Sequence, residues 1–412
     1  MSKFLRIVLL LTVLASGTLI ASPARADALP VPGPCIEGAP IDGARTLYCV
    51  PTSGWNGDLV VYGHGYVAFN APLDFYNLTM PDGGYLPAVV QQLGYAFATT
   101  SYRRNGLAFL EGVQDIANLT ASFPAVTGQT PQHTYIVGPS EGGIITALSI
   151  ERNPALYTGG LSLCGPVGDF RKQIDYWGDF RTLFDYFFPG VLPGNTIDIP
   201  AELIAGWDGY YSAVVAQALA ANPAAAAQLI RTSGASVDRR NLANTTGQTT
   251  LGLLWYNVFA TEDGQAQLNG NPFDNLTRVY RGSLNDAALN AGVNRYAADP
   301  TALASIPPYN TTGRVTRPLV TLHTTGDEII PYWHQKLYRQ KLLANGVTGV
   351  LQIPVNRYGH CNFTTEEVLS AFSLLVIQAT GAPTIEIPGF NLAGKRAELD
   401  LARQEADLSE LR

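Results

Sequence analysis

Short apolar runs alternate with helix-compatible segments along the first 165 residues of the chain. The runs are rich in β-branched and aromatic residues and are bounded by glycine, proline or serine, which is typical of buried strands. We predict strands at 47–51, 59–62, 95–100, 134–137 and 160–164. The intervening segments place apolar residues at helical spacing, and we predict helices at 84–93, 109–123 and 141–152. This alternation predicts an α/β fold with a mostly parallel sheet flanked by helices.

The alternation fades between residues 166 and 312. This stretch is rich in aromatic residues and contains an alanine-rich helical segment from Ala213 to Leu229. We predict a largely helical lid or cap insertion here, over the site. Most of its aromatic side chains are expected to form a small core of their own, and a substrate cleft is the alternative. The first pattern then resumes, with strands predicted at 318–323 and 350–355 and helices at 333–343 and 364–380.

These elements divide the chain into five parts. Residues 27–165 and 313–390 form the two halves of the α/β core, and 166–312 form the insertion between them. The charged residues 391–412 form a C-terminal tail, and residues 1–26 have the features of a signal peptide.

The export signal consists of a basic start, an apolar run and a cleavage site. Lys3 and Arg6 precede the apolar run 7–14, and Ala24-Arg25-Ala26 is a small-residue cleavage motif. The apolar run is far shorter than the ~20 residues needed to span a membrane. We therefore expect a secreted protein, extracellular or periplasmic, with no stable membrane span after cleavage near Ala26.

Composition and charge indicate a globular, acidic protein. Of the 412 residues, 46% are hydrophobic and 14% are charged, which suits one large α/β domain with an insertion or two domains. Loss of the signal peptide would change the formal net charge from −7 to −10, because it removes three basic residues and no acid. No basic patch is visible, so we do not expect nucleic-acid binding. Neither a metal-ligand spacing nor a complete nucleotide-binding loop is present, and we expect no cofactor or metal.

Four cysteines in an exported chain suggest two disulfides. Three pairings are possible for four cysteines. Cys35 and Cys49 flank a short segment with turn residues, which favours a bond between them. That pairing leaves Cys164 with Cys361, and free buried cysteines are the alternative.

The segment Gly138-Pro139-Ser140-Glu141-Gly142 lies between a predicted strand and a predicted helix. This is the G-x-S-x-G pattern of a nucleophile elbow, in which small neighbours let a serine occupy a sharp strand-to-helix turn. The helix that follows directs its first amides toward the place where an oxyanion would form. The alternative is an ordinary glycine-rich turn, and the choice depends on an acid, a histidine and an oxyanion donor elsewhere.

Three further loops supply those groups at the ends of predicted strands. Gly63-His64-Gly65-Tyr66 follows the strand 59–62, Gly326-Asp327 follows 318–323, and Gly359-His360 follows 350–355. With these loops the chain resembles the α/β-hydrolase superfamily, in which the chain order of the triad is serine, acid, histidine. The resemblance covers most of the chain apart from the insertion. It points to a secreted esterase or lipase, with distant similarity to prolyl-oligopeptidase-like and tannase or feruloyl-esterase-like enzymes.

The resemblance implies a role for each of these residues. Ser140 is the nucleophile, His360 the general base and then acid, and Asp327 the carboxylate that orients His360. The backbone amides of Tyr66 and Glu141 are the expected oxyanion donors. The chemistry agrees, since a serine hydroxyl needs an adjacent base, and histidine has an ordinary pKa near ~6.5.

Other residues compete for two of these roles. Glu328 lies beside Asp327, and Asp169 follows the strand that ends at Cys164, so each is an alternative acid. His323 and His334 are alternative bases, but they fall inside a predicted strand and a predicted helix.

Cys361 directly follows the histidine. Tannases and feruloyl esterases join a cysteine beside the serine to one beside the histidine, whereas here Pro139 precedes Ser140. The resemblance to that group therefore departs at this point. A bond between Cys164 and Cys361 would hold the His360 loop in a similar way.

We expect a serine hydrolase that cleaves small-molecule or polymeric carboxylic esters through an acyl-enzyme. Two alternatives stay open: a serine peptidase of the prolyl-oligopeptidase-like type, and a non-catalytic binding protein with the same fold. The natural substrate is not evident from the sequence.

Overall fold

The structure is a computed structural model that describes residues 29–381. The predicted signal peptide, residues 1–26, and the predicted tail, residues 391–412, lie outside the described residues. The core is one mixed sheet of eight strands, in the order β1-β2-β4-β3-β5-β6-β7-β8. The strands are β1 (Cys35–Glu37), β2 (Thr46–Cys49), β3 (Asp58–Tyr62), β4 (Ala96–Thr100), β5 (His133–Pro139), β6 (Gly159–Leu163), β7 (Leu319–Gly326) and β8 (Leu351–Tyr358).

One strand, β2, runs against the others. β1 pairs antiparallel with β2, and β2 pairs antiparallel with β4, whereas the pairs from β4 to β8 are parallel. The predicted α/β class with a mostly parallel sheet is confirmed. β1 was not predicted from the sequence, because three residues are too few to show an alternating pattern.

Twelve α-helices cover or extend this sheet among the described residues. They are α1 (Leu86–Gln92), α2 (Phe109–Thr127), α3 (Glu141–Arg152), α4 (Phe170–Phe187), α5 (Ala201–Gly206), α6 (Ser212–Ala221), α7 (Pro223–Ser233), α8 (Leu242–Leu268), α9 (Asp286–Gly292), α10 (Pro300–Ser305), α11 (Trp333–Ala344) and α12 (Thr365–Thr380). Seven of them, α4 to α10, lie between β6 and β7, and we call residues 166–312 the cap segment.

The two faces of the sheet bury different clusters. Because side chains alternate along a strand, Leu59 and Val61 of β3 pack with α2 and α3, while Val60 and Tyr62 face the opposite layer. That second layer contains α1 and α12. Both faces are apolar, as expected for a parallel sheet with helices on each side.

The cap segment is helical, but its alanine-rich part is not one helix. The chain breaks at Asn222, whose side chain accepts a hydrogen bond from the Ala225 amide and caps α7 at 3.1 Å. Pro223 occupies the first position of α7, where its missing N–H costs nothing. The aromatic side chains of Trp177, Phe184 and Trp207 are buried in the large cluster that includes the cap segment.

The structure contains two disulfides, Cys35–Cys49 and Cys164–Cys361. Cys35 and Cys49 are directly opposite each other in the β1–β2 ladder. Over residues 29–381, no single helix is long and apolar enough to cross a membrane; one pair, Ala201–Ala221 and Pro223–Ser233, reaches that length only when joined across a bend of 104°.

Candidate active site

Ser140 lies at the turn from β5 to α3. Its φ of 54° and ψ of −118° are a strained conformation for a residue with a side chain. The glycine two residues later is required by close packing, since a Cβ on Gly142 would lie 2.0 Å from the carbonyl oxygen of Gly63. Ser140 is thereby held at the carboxyl end of the central strands, with 9% of its surface exposed.

The three predicted triad residues meet at this turn. Ser140 Oγ lies 2.9 Å from His360 Nε2, and His360 Nδ1 lies 2.8 Å from Asp327 Oδ2. Asp327 follows β7 and His360 follows β8, so three different strand ends contribute one side chain each. The arrangement lets His360 hold a proton on Nδ1 toward the carboxylate while Nε2 accepts the serine proton.

Asp327 is fixed by its own backbone loop. Its side chain is completely buried, and Oδ1 accepts hydrogen bonds from the amides of Ile329 at 3.0 Å and Ile330 at 2.8 Å. The ladder between β7 and β8 shifts register between Thr324 and Gly326, directly before this residue. Such irregularities redirect a side chain at the end of a strand, and here the redirected side chain is the acid.

The electrostatics favour a charged form of His360. Burial lowers the pKa of His360, but the Asp327 carboxylate beside Nδ1, and to a smaller extent Glu328, outweigh burial, so the net pKa is raised. Burial also raises the pKa of Glu328, to about 7. An imidazolium that forms during a reaction would therefore be stabilised here.

The two alternative acids, Asp169 and Glu328, make other contacts. Asp169 is the N-cap of α4, where its side chain accepts a hydrogen bond from the Lys172 amide at 3.0 Å. Glu328 accepts a hydrogen bond from the His360 backbone N–H, but it is Asp327 that contacts the His360 ring. The preference for Asp327 over Asp169 thus has a structural reason, since Asp169 is already engaged as a helix cap.

The competing histidines are fully buried and hydrogen-bonded elsewhere. His334 Nδ1 accepts from the Gly168 amide at 2.9 Å, and Nε2 contacts the side-chain oxygen of Gln173 at 2.7 Å. His323 Nε2 lies 2.8 Å from the carbonyl oxygen of Ile330 and 3.5 Å from Asp327 Oδ2. Burial lowers the pKa of both histidines. Neither histidine forms a hydrogen bond with Ser140 in the described part of the chain, and His323 lies beside the acid of the triad.

The loop after β3 lies against Ser140. An ideal Cβ on Gly65 would be 3.4 Å from Ser140 Cβ, and the Gly65 amide donates to Asn77 Oδ1 at 3.0 Å. The next residue, Tyr66, is anchored to α8 because its hydroxyl donates to the Phe259 carbonyl at 3.0 Å. Gly65 therefore lies against the nucleophile, and the oxyanion role of the Tyr66 amide stays a prediction.

The second predicted donor, the Glu141 amide, opens α3. The first amides of a helix have no intrahelical acceptor, so this N–H is free for a ligand. The Glu141 side chain is buried instead, and burial raises its pKa well above the ordinary value. The oxyanion role of the Glu141 amide stays a prediction.

The Cys164–Cys361 bond lies beside His360. It connects the end of β6 to the residue after His360, and Cys361 Sγ is 3.6 Å from His360 Nε2. These three residues bring potential metal-ligating atoms within 4.8 Å of one another, but the sulfurs are bonded to each other and offer no thiolate. The bond closes a loop across the whole cap segment, with a sequence separation of 197.

A cavity of about 580 Å³ opens at Ser140 and His360. Tyr256 of α8 is one of its lining residues, and it was not singled out among the aromatic residues of the cap segment. Burial raises the pKa of Tyr256, and a contact with the Ser140 hydroxyl acts in the opposite direction. No motif around Tyr256 could have indicated this position, because it depends on how α8 crosses the site.

No protein-family model and no curated protein matches the chain. Among solved structures it is similar to acylaminoacyl peptidase from Pyrococcus horikoshii, with 15% identity and a TM-score of 0.43 over 89% of this chain and 44% of that one. It is also similar to an esterase from Aspergillus oryzae, with 15% identity and a TM-score of 0.48 over 79% and 72% of the two chains. It is similar as well to feruloyl esterase B from Aspergillus oryzae, with 13% identity and a TM-score of 0.41 over 78% of this chain and 71% of that one. The chain spans less than half the length of the acylaminoacyl peptidases that it matches.

The topology defines the class of fold. A mostly parallel eight-stranded sheet carries a serine at the turn from β5 to α3, with an acid and a histidine after later strands in that chain order. This is the α/β-hydrolase fold.

Proposed function

We propose that the protein is a secreted serine hydrolase that cleaves carboxylic esters. The observation that carries this proposal is the hydrogen-bonded line from Ser140 Oγ through His360 to Asp327 Oδ2, at 2.9 Å and 2.8 Å. The two disulfides support export, because such bonds persist in oxidising compartments.

Each residue has one task in the proposed mechanism. His360 Nε2 takes the proton of Ser140 as Oγ attacks the ester carbonyl, and Asp327 stabilises the imidazolium. The amides of Tyr66 and Glu141 bind the oxyanion, each worth about 3 kcal/mol. His360 then returns the proton to the leaving alcohol, and water hydrolyses the acyl-enzyme by the same steps.

An ester fits the cavity better than a peptide does. Peptide substrates bring N–H and C=O groups that need hydrogen-bond partners when they are buried. The cavity beside Ser140 is lined mostly by apolar side chains, and no charged side chain other than His360 is among its described lining residues. This observation ranks ester hydrolysis above the peptidase alternative.

The test compares hydrolysis of p-nitrophenyl acetate and butyrate by the wild type, Ser140→Ala and Asp327→Asn. We expect turnover to fall by about 10⁶-fold for Ser140→Ala and about 10⁴-fold for Asp327→Asn. Both variants should unfold at the wild-type temperature. Equal turnover in the wild type and Ser140→Ala would refute the proposal, and cleavage of aminoacyl-nitroanilides in preference to esters would favour a peptidase.

A further inference from the structure

Apart from Tyr256, the side chains that line the cavity at Ser140 lie outside the cap segment. The cavity extends from Ser140 and His360 into the layer between the sheet and the helices α1 and α12. Its volume of about 580 Å³ falls within the ~300–1,000 Å³ of small-molecule sites. A space of this size inside an apolar layer is unusual, because protein interiors pack at the density of organic crystals.

The sheet forms one wall of this cavity. The side chains that line it come from alternate positions on neighbouring strands, so they all point to the same face. They are Val60 and Tyr62 of β3, Phe97 of β4, Val137 and Pro139 of β5, and Leu161 and Leu163 of β6. In the parallel register, Val60 of β3 pairs with Tyr135 of β5, which lies four residues before Pro139. The lining residues Val60 and Pro139 are therefore about 13 Å apart along the strands, at ~3.3 Å per residue. This distance is the depth of the wall over this stretch alone.

The helices form the opposite wall. Leu86, Val89, Val90 and Leu93 line the cavity, and these positions make one face of α1. Val368, Leu369 and Phe372 of α12 complete the wall. The cavity is therefore a slot between two apolar layers.

Few polar side chains line the slot. Asn77, Thr79 and Asn362 line it near the loops that precede α1 and α12. The Tyr62 hydroxyl is already satisfied, because it donates to the Asn77 carbonyl at 2.9 Å. A ligand group in the slot would thus find apolar contacts and few free hydrogen-bond partners.

We propose that the slot binds the linear aliphatic acyl chain of the ester substrate, from the medium-chain range upward. This inference rests on the proposed function and names its substrate class. The acyl group stays bonded to Ser140 Oγ after the first step, so it can occupy an inward slot, whereas the alcohol must leave with the proton from His360. A linear chain fits a narrow space between two layers and requires no polar partner.

The first experiment measures kcat/KM for p-nitrophenyl esters from acetate to dodecanoate. Each methylene that enters the slot should raise kcat/KM about fourfold, until the slot is filled. A second series, acetate esters of alcohols of increasing length, should stay nearly flat. A flat acyl series, a rising alcohol series, or a preference for aromatic over linear acyl groups would overturn the inference.

The second experiment fills the slot. Val89→Trp places a large side chain on the cavity face of α1, and the matched control Gln92→Trp places it on the exposed side of the same helix. We expect the ratio of decanoate to acetate kcat/KM to fall more than tenfold for Val89→Trp and to keep its wild-type value for Gln92→Trp. Equal ratios in the two variants would contradict the assignment of the slot.

A binding measurement separates this inference from the proposed function. In the Ser140→Ala background, titration calorimetry should show p-nitrophenyl decanoate binding more tightly than the acetate, and added Val89→Trp should remove the difference. Chain-dependent binding without turnover in the wild type would refute ester hydrolysis and leave the slot as a chain-binding site. Turnover of esters together with chain-independent binding would refute the slot and leave the hydrolase.

Discussion

The two faces of the sheet meet at Ser140 and are packed in different ways. On the α3 side, glycines bring backbones into contact: a Cβ on Gly138 would lie 2.4 Å from the Gly142 oxygen, and one on Gly143 would lie 2.8 Å from the Gly165 Cα. On the α1 and α12 side, the layers enclose a cavity of about 580 Å³. One face fixes the nucleophile and the other leaves room beside it.

The charged side chains that act on His360 are also separate from the cavity. Asp327 and Glu328, which act on His360, are absent from the residues that line the slot. The charged groups that act on His360 therefore lie outside the slot, and the apolar space lies within it. Substitutions on the two sides should change different properties.

The largest effect is expected on the tight face. In Gly142→Ala the added Cβ would meet the Gly63 carbonyl oxygen at 2.0 Å, and backbone cannot move away as a flexible side chain can. We expect a loss of about 3 kcal/mol or more in the free energy of unfolding, with loss of ester hydrolysis. Urea denaturation and p-nitrophenyl butyrate turnover measure the two effects.

Gly247→Ala is the matched control, because Gly247 also lies in a helix and a Cβ there meets no atom within 4 Å. This variant should be neutral or more stable by up to about 1 kcal/mol. If Gly142→Ala were as stable and active as Gly247→Ala, the elbow would not be closely packed.

A matched pair of leucines compares the two faces directly. Leu59 faces α2 and α3, Leu161 lines the slot, and both are fully buried on central strands. Leu59→Ala should cost about 3–4 kcal/mol and Leu161→Ala about 2 kcal/mol, because a side chain that already borders empty space loses fewer contacts. Urea denaturation gives both values.

Leu161→Ala should also move the optimum acyl chain toward longer esters, and Leu59→Ala should not. Equal costs of unfolding together with equal chain-length profiles would remove the distinction between the faces.

The elbow and its partners could be predicted from the sequence because each is a local pattern at a strand end. Ser140, Asp327 and His360 follow glycine-containing loops, and the parallel sheet brings the ends of such strands to one edge. The slot gave no comparable signal. The spacing of Leu86 and Val89 is the same whether a helix face meets packed side chains or empty space.

The separation between α1 and the sheet is a distance between two elements, which no periodicity within either of them describes. Tyr256 was missed for a related reason, since its position depends on the path of α8 across the site. Sequence patterns over a few residues predict helices, strands and the loops at strand ends. They do not predict a cavity, because a cavity depends on the distances between these elements.

The smallest effect is expected from the charged side of the site. Ionised Glu328 raises the pKa of His360, and only neutral His360 can act as the base. Activity should therefore rise with pH through the raised pKa of His360. Glu328→Gln removes the negative charge, lowers that pKa, and moves the acidic limb of the kcat/KM profile toward lower pH.

The pKa of Glu328 is itself raised to about 7 by burial, so its charge is present mainly in the upper part of this window. The profile should be measured with p-nitrophenyl butyrate and decanoate between pH 5 and 9, beside Glu366→Gln, an exposed glutamate of α12, as control. The limb should move equally for both esters, because the charge lies outside the slot. If the acidic limb of the profile did not move in Glu328→Gln, Glu328 would not act on the pKa of His360. If the limb moved for one ester only, the effect of Glu328 would not be independent of the slot.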